Sequence, residues 1–281
     1  MTAPKNINKS ILVLPSWYPG KINAFSGDFI QRHVKAISLY NKQYVIYVVK
    51  DDNGIVTSDI TVEENIHDNY TEQIIYYKPI KTGISLLDKL LSQQKYKRVY
   101  RKAITDYIHL NGCTKMIHVH VAFKAGTLAL WAKQQWGIPY IVTEHWTVYL
   151  KEADLRYEQF SFIHRKLIKK IVEQASAVTA VSDWLGKAIQ HRFPSVNYKV
   201  IPNVVDKKIF FPVEKIPNNT IQLIHASTMN YQKNIEAIIS ACSILKKRKI
   251  DFVLKLFGPV PPSVIVLVEK LNLQAFILFK G

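Results

Sequence analysis

Apolar runs along this chain break off sharply at polar residues. Residues 140–143 are followed by Glu144, His145 and Trp146, residues 177–181 by Ser182, and Val200-Ile201-Pro202 by Asn203. Short continuous apolar runs of this kind read as strands buried on both faces of a parallel sheet. Ligands of open α/β sheets sit just beyond the carboxyl ends of such strands. His145, Ser182 and Asn203 are therefore the first candidates for a site.

Between these runs the pattern changes to helical spacing. Residues 10–14 read as a short buried strand, and 15–20 (Pro-Ser-Trp-Tyr-Pro-Gly) as a loop of turn residues. A helix is expected from Asp28, whose carboxylate suits a helix N-terminus, to about residue 40. The strand 43–50, a polar stretch with β-rich pieces up to 77, a helix over 86–110 and the strand 116–121 come next. The helix 125–136 ends at Gly137, a common terminator. The strand 140–143, a helix within 156–174, the strand 177–181, the helix 183–192 and the strand 198–202 complete one doubly wound unit over 1–211.

The stretch 212–219, rich in Pro and Asn, reads as a linker. Beyond it, 221–225, 252–257 and 276–279 read as strands, and 234–247 and 263–271 as helices. Three strands and two helices are about half of a standalone parallel-sheet domain, so the unit 220–281 is expected to be incomplete.

Composition narrows the class. A chain of 281 residues, 48% of them hydrophobic, has room for one large or two ordinary domains. Cys113 and Cys242 lie far apart, with neither a disulfide framework nor metal-ligand spacing, which favours a reducing compartment. The first ten residues hold no signal-like apolar stretch, and no run approaches the roughly 18 apolar residues of a membrane span. A soluble, cytoplasmic protein is expected.

Charge adds a partner class. The net charge is +17, from 38 Lys and Arg against 21 Asp and Glu, and attracts polyanions. The excess concentrates in two amphipathic stretches. Over 86–110, Lys89, Lys95, Lys97, Arg98, Arg101 and Lys102 alternate with apolar residues at largely helical intervals. Over 156–174, Arg165, Lys166, Lys169 and Lys170 do the same. Such helices either bury their apolar stripe in a core, the commoner case, or lie on an anionic membrane surface, here the inner face of the cytoplasmic membrane. Nucleic acid is not expected as a partner, because no recognition motif accompanies the basic residues.

The order of several short motifs resembles family 4 of the retaining glycosyltransferases. They are the loop 15–19 followed by Ser26-Gly27-Asp28-Phe29-Ile30-Gln31-Arg32-His33; Ile117-His118-Val119-His120; the stretch 137–146; the stretch 175–182; Ile201-Pro202-Asn203-Val204-Val205-Asp206 with Phe210; and Lys233-Asn234 opening a helix. Each motif alone is weak, whereas their order over nearly the whole chain is specific. Bacterial enzymes that build surface polysaccharide or lipopolysaccharide look most similar. The resemblance implies an α/β fold of the GT-B type, with two Rossmann-like doubly wound parallel-sheet domains, the second of them incomplete here, and an active site between them.

The resemblance also implies roles. Gly27 falls in the family's donor-facing loop, and Lys233 matches a lysine on the donor phosphates; Asn203 and Ser182 join them as donor-binding candidates. Gly27 also has a plain reading as a turn glycine, and Lys233 as a solvated lysine at a helix start. His145 sits where the family places a histidine near the donor sugar, and is the catalytic candidate. A neutral imidazole there can hydrogen-bond a sugar hydroxyl or steady developing charge. His120 and Glu144 are the acceptor-side candidates. His118 and His120 are expected to face opposite sides of their strand, with His120, nearer its end, the better of the two. Glu144 either contacts acceptor or caps the following turn.

Departures from the family pattern accompany the match. No arginine stands at Ser227-Thr228-Met229, where the family carries a second cation, and the paired glutamates spaced Glu-x7-Glu would fall beyond Gly281. Glu269 has Ile277 eight positions on. Without a His-x3-His pair or an Asp-x-Asp motif, no metal or other cofactor is expected. The implied activity is transfer of a sugar, with retention, from a nucleotide-sugar donor to a glycan or lipid-linked acceptor by front-face displacement. The rival reading is a non-catalytic protein that binds membrane or anionic glycolipid through its basic helices. A different GT-B-like enzyme, such as an epimerase or a phosphorylase, fits the motifs less well.

Overall fold

The first apolar run becomes the central strand of a large sheet. In this computed structural model, which describes residues 7–214 and 219–281, β1 (Ile7–Pro15) lies between β2 (Gln43–Lys50) and the strand Cys113–His120. The hairpin β3 (Ile60–Ile66) and β4 (Tyr70–Tyr77) accounts for the β-rich pieces before residue 77. With β5 (Cys113–His120), β6 (Tyr140–Glu144), β7 (Ala177–Ala180) and β8 (Tyr198–Val200), the strand order is β3-β4-β2-β1-β5-β6-β7-β8. Neighbours are parallel except for the antiparallel pair β3–β4.

Five helices cover the sheet: α1 (Asp28–Ser38), α2 (Ser85–Asn111), α3 (Ala125–Trp136), α4 (Phe162–Glu173) and α5 (Asp183–Arg192). Alternation along β1 divides the core in two. Leu12 and Leu14 pack with Tyr100 and Ile104 of α2, while Ile11 and Val13 pack with Ile30 and Val34 of α1. Side chains on both faces are buried, which is why β1 reads as an unbroken apolar run. Helix α3 stops where Gly137 takes a left-handed conformation, φ 69°.

Both basic helices are core helices over their C-terminal parts. Val99, Tyr100, Ala103, Ile104, Tyr107 and Ile108 of α2 are buried, as are Ile168, Ile171 and Val172 of α4. Their N-terminal turns differ: Leu86 is 70% exposed, Phe162 71% and Ile163 75%. Helix α4 is also shorter than the expected stretch, because a 3-10 turn at Tyr157–Gln159 and the Ser161 cap precede it. Strand β8 ends at Val200, before Pro202, which has no N–H for a ladder bond. No described helix is long and apolar enough to cross a membrane.

The chain separates into two compact units, Met1–Lys151 with Leu155–Phe210, and Glu152–Asp154 with Phe211–Gly281. The linker expected over 212–219 lies partly outside the described residues, and the segment before β1 lies wholly outside them. The second unit holds β9 (Ile221–Ala226), β10 (Phe252–Phe257) and β11 (Ile277–Phe279) in one parallel sheet of order β11-β10-β9. Helices α6 (Ile235–Lys247) and α7 (Pro262–Lys270) join a core of Ile239, Cys242, Leu254, Leu256, Val264 and Val268. Cys113 and Cys242 are free thiols, each buried.

Chain direction places a site within the first unit. The sheet grows from β1 toward β2 on one side and toward β5 on the other, so β1 and β5 form a topological switch point. The crevice beyond their C-terminal ends is where an open α/β sheet takes its ligand.

Candidate functional site

At the ends of β5 and β6 two histidines meet. The strands pair with His120 opposite Thr143, which brings His145, two residues further along β6's path, beside His120. His120 Nδ1 and His145 Nε2 are 3.0 Å apart, and the rings stack at 5.2 Å between centroids. His118 joins them on the same side: its ring lies 4.1 Å from that of His120. This corrects the expectation that His118 and His120 face opposite ways. Residues two apart on a strand share a face. His118 is turned to structural use, with Nε2 2.7 Å from Thr143 Oγ1, which is itself 2.7 Å from Thr179 Oγ1.

Helix α1 supplies the opposite wall. The His33 ring is 5.4 Å from His145 and 5.8 Å from His120, and the Phe29 ring is 4.9 Å from His145. His33 Nε2 is 3.1 Å from Oδ1 of Asn203, which follows β8. Asn203 is thus joined to His120 and His145 through His33. Phe29 and His33 were not among the sequence candidates. Their four-residue spacing, which puts both on one face of α1, was the available signal.

Burial keeps the cluster neutral. Loss of hydration pushes His118 and His145 down to about 3, helped by their histidine neighbours, with the Asn203 side chain working the other way on His145. His120, fully buried, falls well below the ordinary histidine range for the same two reasons, and His33 falls too, with Asn203 opposing. A neutral imidazole has one donor and one acceptor nitrogen, so one of the His120–His145 pair donates and the other accepts. Nε2 of His120 is buried with no hydrogen-bond partner in the protein. Nδ1 of His145 is buried and unpartnered as well, so each neutral ring spends one nitrogen on the pair and keeps one buried polar nitrogen in reserve.

Glu144 is the buried neighbour whose role the sequence left open. Its Oε1 accepts from the backbone N–H groups of His145 and Trp146 at 3.0 and 2.9 Å. Its Oε2 accepts from the Ala122 N–H at 3.1 Å and the Tyr149 hydroxyl at 3.3 Å. Both oxygens are spent on the turns after β5 and β6, the arrangement of a cap. Burial lifts the carboxyl to about 7 against the pull of these hydrogen bonds. Glu144 therefore holds His145 in place from the adjacent residue.

The remaining candidates stand apart from this cluster. Gly27 caps α1 with φ 67°, and a Cβ there would lie 2.5 Å from the Trp17 carbonyl carbon and oxygen. The loop after β1 needs glycine for its own packing. Trp17 in turn packs edge-on against Trp146 at 5.7 Å, tying that loop to the turn that carries His145. Ser182 caps α5, its hydroxyl accepting from the Leu185 N–H at 3.2 Å. Lys233 belongs to the second unit, where it is exposed at the end of a 3-10 turn and Asn234, in the left-handed region, starts α6. Among the described residues no group of three His, Cys, Asp or Glu side chains is arranged to hold a metal ion.

Residues 84–208, from just before α2 to just beyond β8, match the family model described as Glycosyltransferase Family 4. No curated protein matches the chain. Among solved structures, the sucrose-phosphate synthase of Thermosynechococcus elongatus aligns with a TM-score of 0.65 at 17% identity, over 97% of this chain and 70% of that one. The catalytic domain of starch synthase IV from Arabidopsis thaliana, bound to ADP and acarbose, aligns with a TM-score of 0.57 at 11% identity, over 98% and 74%. The α/β fold, a large mostly parallel sheet with a smaller parallel one, is that of GT-B glycosyltransferase structures.

Proposed function

We propose that this protein is a glycosyltransferase that moves a sugar, with retention of configuration, from a nucleotide-sugar donor to a glycan or lipid-linked acceptor, in the synthesis of surface polysaccharide or lipopolysaccharide. The observation that carries this reading is the neutral His120–His145 pair at the ends of two strands that lie within the stretch matching Glycosyltransferase Family 4. A structural relative bound to ADP and acarbose supports the donor and acceptor classes.

The chemistry asks for a polar, uncharged group near the donor sugar, where positive charge grows as the nucleoside diphosphate leaves. His145 fills that role, because a neutral imidazole can accept from a sugar hydroxyl without repelling the developing oxocarbenium ion. Asn203 orients the cluster through His33. The acceptor hydroxyl attacks from the face the diphosphate leaves, and the leaving phosphate takes its proton. Neither a covalent nucleophile nor a metal enters this scheme.

The test is incubation of the protein with a panel of nucleotide sugars together with glycan and lipid-linked acceptors, followed by phosphorus NMR of nucleoside diphosphate release and proton NMR of the product's anomeric signal. Release from one donor, with the donor's configuration kept in the product, is the expected result. Inversion refutes retention, and a panel that stays intact refutes the transfer reading.

A further inference from the structure

A second concave site opens at the same end of the first unit's sheet. It is a cavity of about 880 Å³ within reach of the ends of β1, β2, β4 and β5, lined in part by Ser16, Tyr77, Tyr96 and Phe123. Volumes of this order hold a drug-sized or disaccharide-sized ligand. The Ser16 hydroxyl shapes one wall, donating to the carbonyls of Val121 and Phe123 while it accepts the Ala125 N–H, which fixes the turn that presents Lys124.

The lining is strongly cationic. Lys50, Lys81, Lys89, Lys97 and Lys124 face the cavity with only Asp52 and Asp88 against them. Both acids are engaged: Asp52 pairs with Lys50 at 2.9 Å, and Asp88 accepts from the Thr82 N–H and hydroxyl at 2.6 Å each. Lys89, Lys97 and Lys124 form no ion pair among the described residues. Partial desolvation and then the nearby Lys50 lower the Lys124 ammonium, an arrangement that an anion would relieve.

The rim is apolar where it should be wet. Ser85, Asp88 and Lys89 of α2 line the cavity, and the residues between and beside them, Ile84, Leu86, Leu87 and Leu90, are exposed. His164 and Leu167 of α4 line it from the other side, and Phe162 and Ile163, just before them, are exposed as well. Two helices that otherwise face the core thus leave their first apolar turns uncovered beside one lysine-lined cavity. Exposed apolar clusters rimmed by polar residues mark interaction sites, and basic apolar helix ends suit a bilayer interface.

We propose that this cavity receives the phosphate of a membrane-held phosphorylated lipid, with its apolar chain leaving over the first turns of α2 and α4. The inference deepens the proposed transfer only in naming that lipid as the acceptor. Lys89, Lys97 and Lys124 meet the phosphate, the tyrosines and Phe123 stack under whatever sugar it carries, and Leu86 and Phe162 sit at headgroup depth.

The test is binding without any donor, so that failure of sugar transfer leaves it unaffected and failure of binding leaves the transfer reading to its own assay. Phosphatidylcholine vesicles carrying phytanyl phosphate are compared, by co-sedimentation, with vesicles of equal surface charge carrying phosphatidylserine. Inorganic phosphate serves as competitor. Preference for phytanyl phosphate is expected, with about a tenfold weakening for Lys97→Gln or Lys124→Gln, the effect of losing one charge-assisted contact. Leu86→Ser, on an exposed position that cannot unfold the core, is expected to weaken vesicle binding as well. Equal binding to the phosphatidylserine vesicles, indifference to the lysine substitutions in variants with unchanged melting, or full displacement by low inorganic phosphate each overturns the proposal.

Discussion

His120 and His145 meet Nδ1 to Nε2 at 3.0 Å, one neutral ring donating to the other. This pairing needs at least one ring neutral, since two imidazoliums would each present a donor, and burial disfavours charge on either. Burial places His145 at about 3, far below the ordinary histidine range. Nitrogen-15 NMR of the histidine side chains is expected to show neutral tautomers for both residues from about pH 5 to pH 8. An imidazolium signature from either at pH 6 contradicts the account.

The same neutrality makes the fold acid-labile. His33, His118, His120 and His145 all have folded-state values lowered by burial, so below about 6.5 the unfolded chain binds protons that the folded one does not. Stability from the histidines is therefore present above pH 6.5 and lost as pH falls below it, with only Glu144 among the carboxyls raised into the same window and acting with the opposite sign. Denaturant melts at pH 7 and pH 5 are expected to show a lower midpoint at pH 5. A flat profile over that window shows that the cluster is hydrated and charged.

Glu144 has the opposite sign. Its folded value is raised to about 7, so between the unfolded carboxyl range and pH 7 the folded state holds the extra proton. Its contribution is full at low pH and is lost as pH rises toward and past 7. Glu144→Gln removes this titration, so the stability gap between wild type and variant is expected to narrow from pH 5 to pH 8, by roughly 3 kcal/mol at most. A gap that widens with pH would show that the four hydrogen bonds to the carboxylate outweigh its burial.

Gly27→Ala separates packing from ligand binding at the loop after β1. The substitution puts a Cβ 2.5 Å from the Trp17 carbonyl and strains a backbone at φ 67°. The strain alone costs on the order of 1–2 kcal/mol, and the clash is with backbone that cannot swing away. Thermal melting is expected to drop by several degrees with no ligand present. Unchanged melting with weakened nucleotide-sugar binding would instead assign Gly27 to the ligand alone.

The backbone framework was largely legible in the sequence. The bounds of β2, α3, α5 and β10 coincide with the expected ones, because strands buried on both faces read as unbroken apolar runs and helices end at recognisable caps. Relations between side chains from distant segments were not. His33 reaches Asn203 across 170 positions of sequence, and nothing local to either residue announces it. Ser182, read as a ligand contact from its place at a strand end, spends its hydroxyl on the α5 cap, a role serine takes at many helix starts. The lysine-lined cavity gathers residues from five separate stretches, so the charge of the two basic helices was visible in sequence but their shared concavity was not.

The central claim is that His145 serves sugar transfer as a neutral hydrogen-bonding group. Its most direct test is the turnover of His145→Ala beside wild type, with the donor identified by nucleotide-sugar screening and with melting temperatures matched. Loss of a preorganised electrostatic contact of this kind typically lowers turnover by about 10²-fold, and a fall of tens-fold or more, with little change in donor affinity, is expected. Turnover equal to wild type would remove His145 from the chemistry and contradict the account.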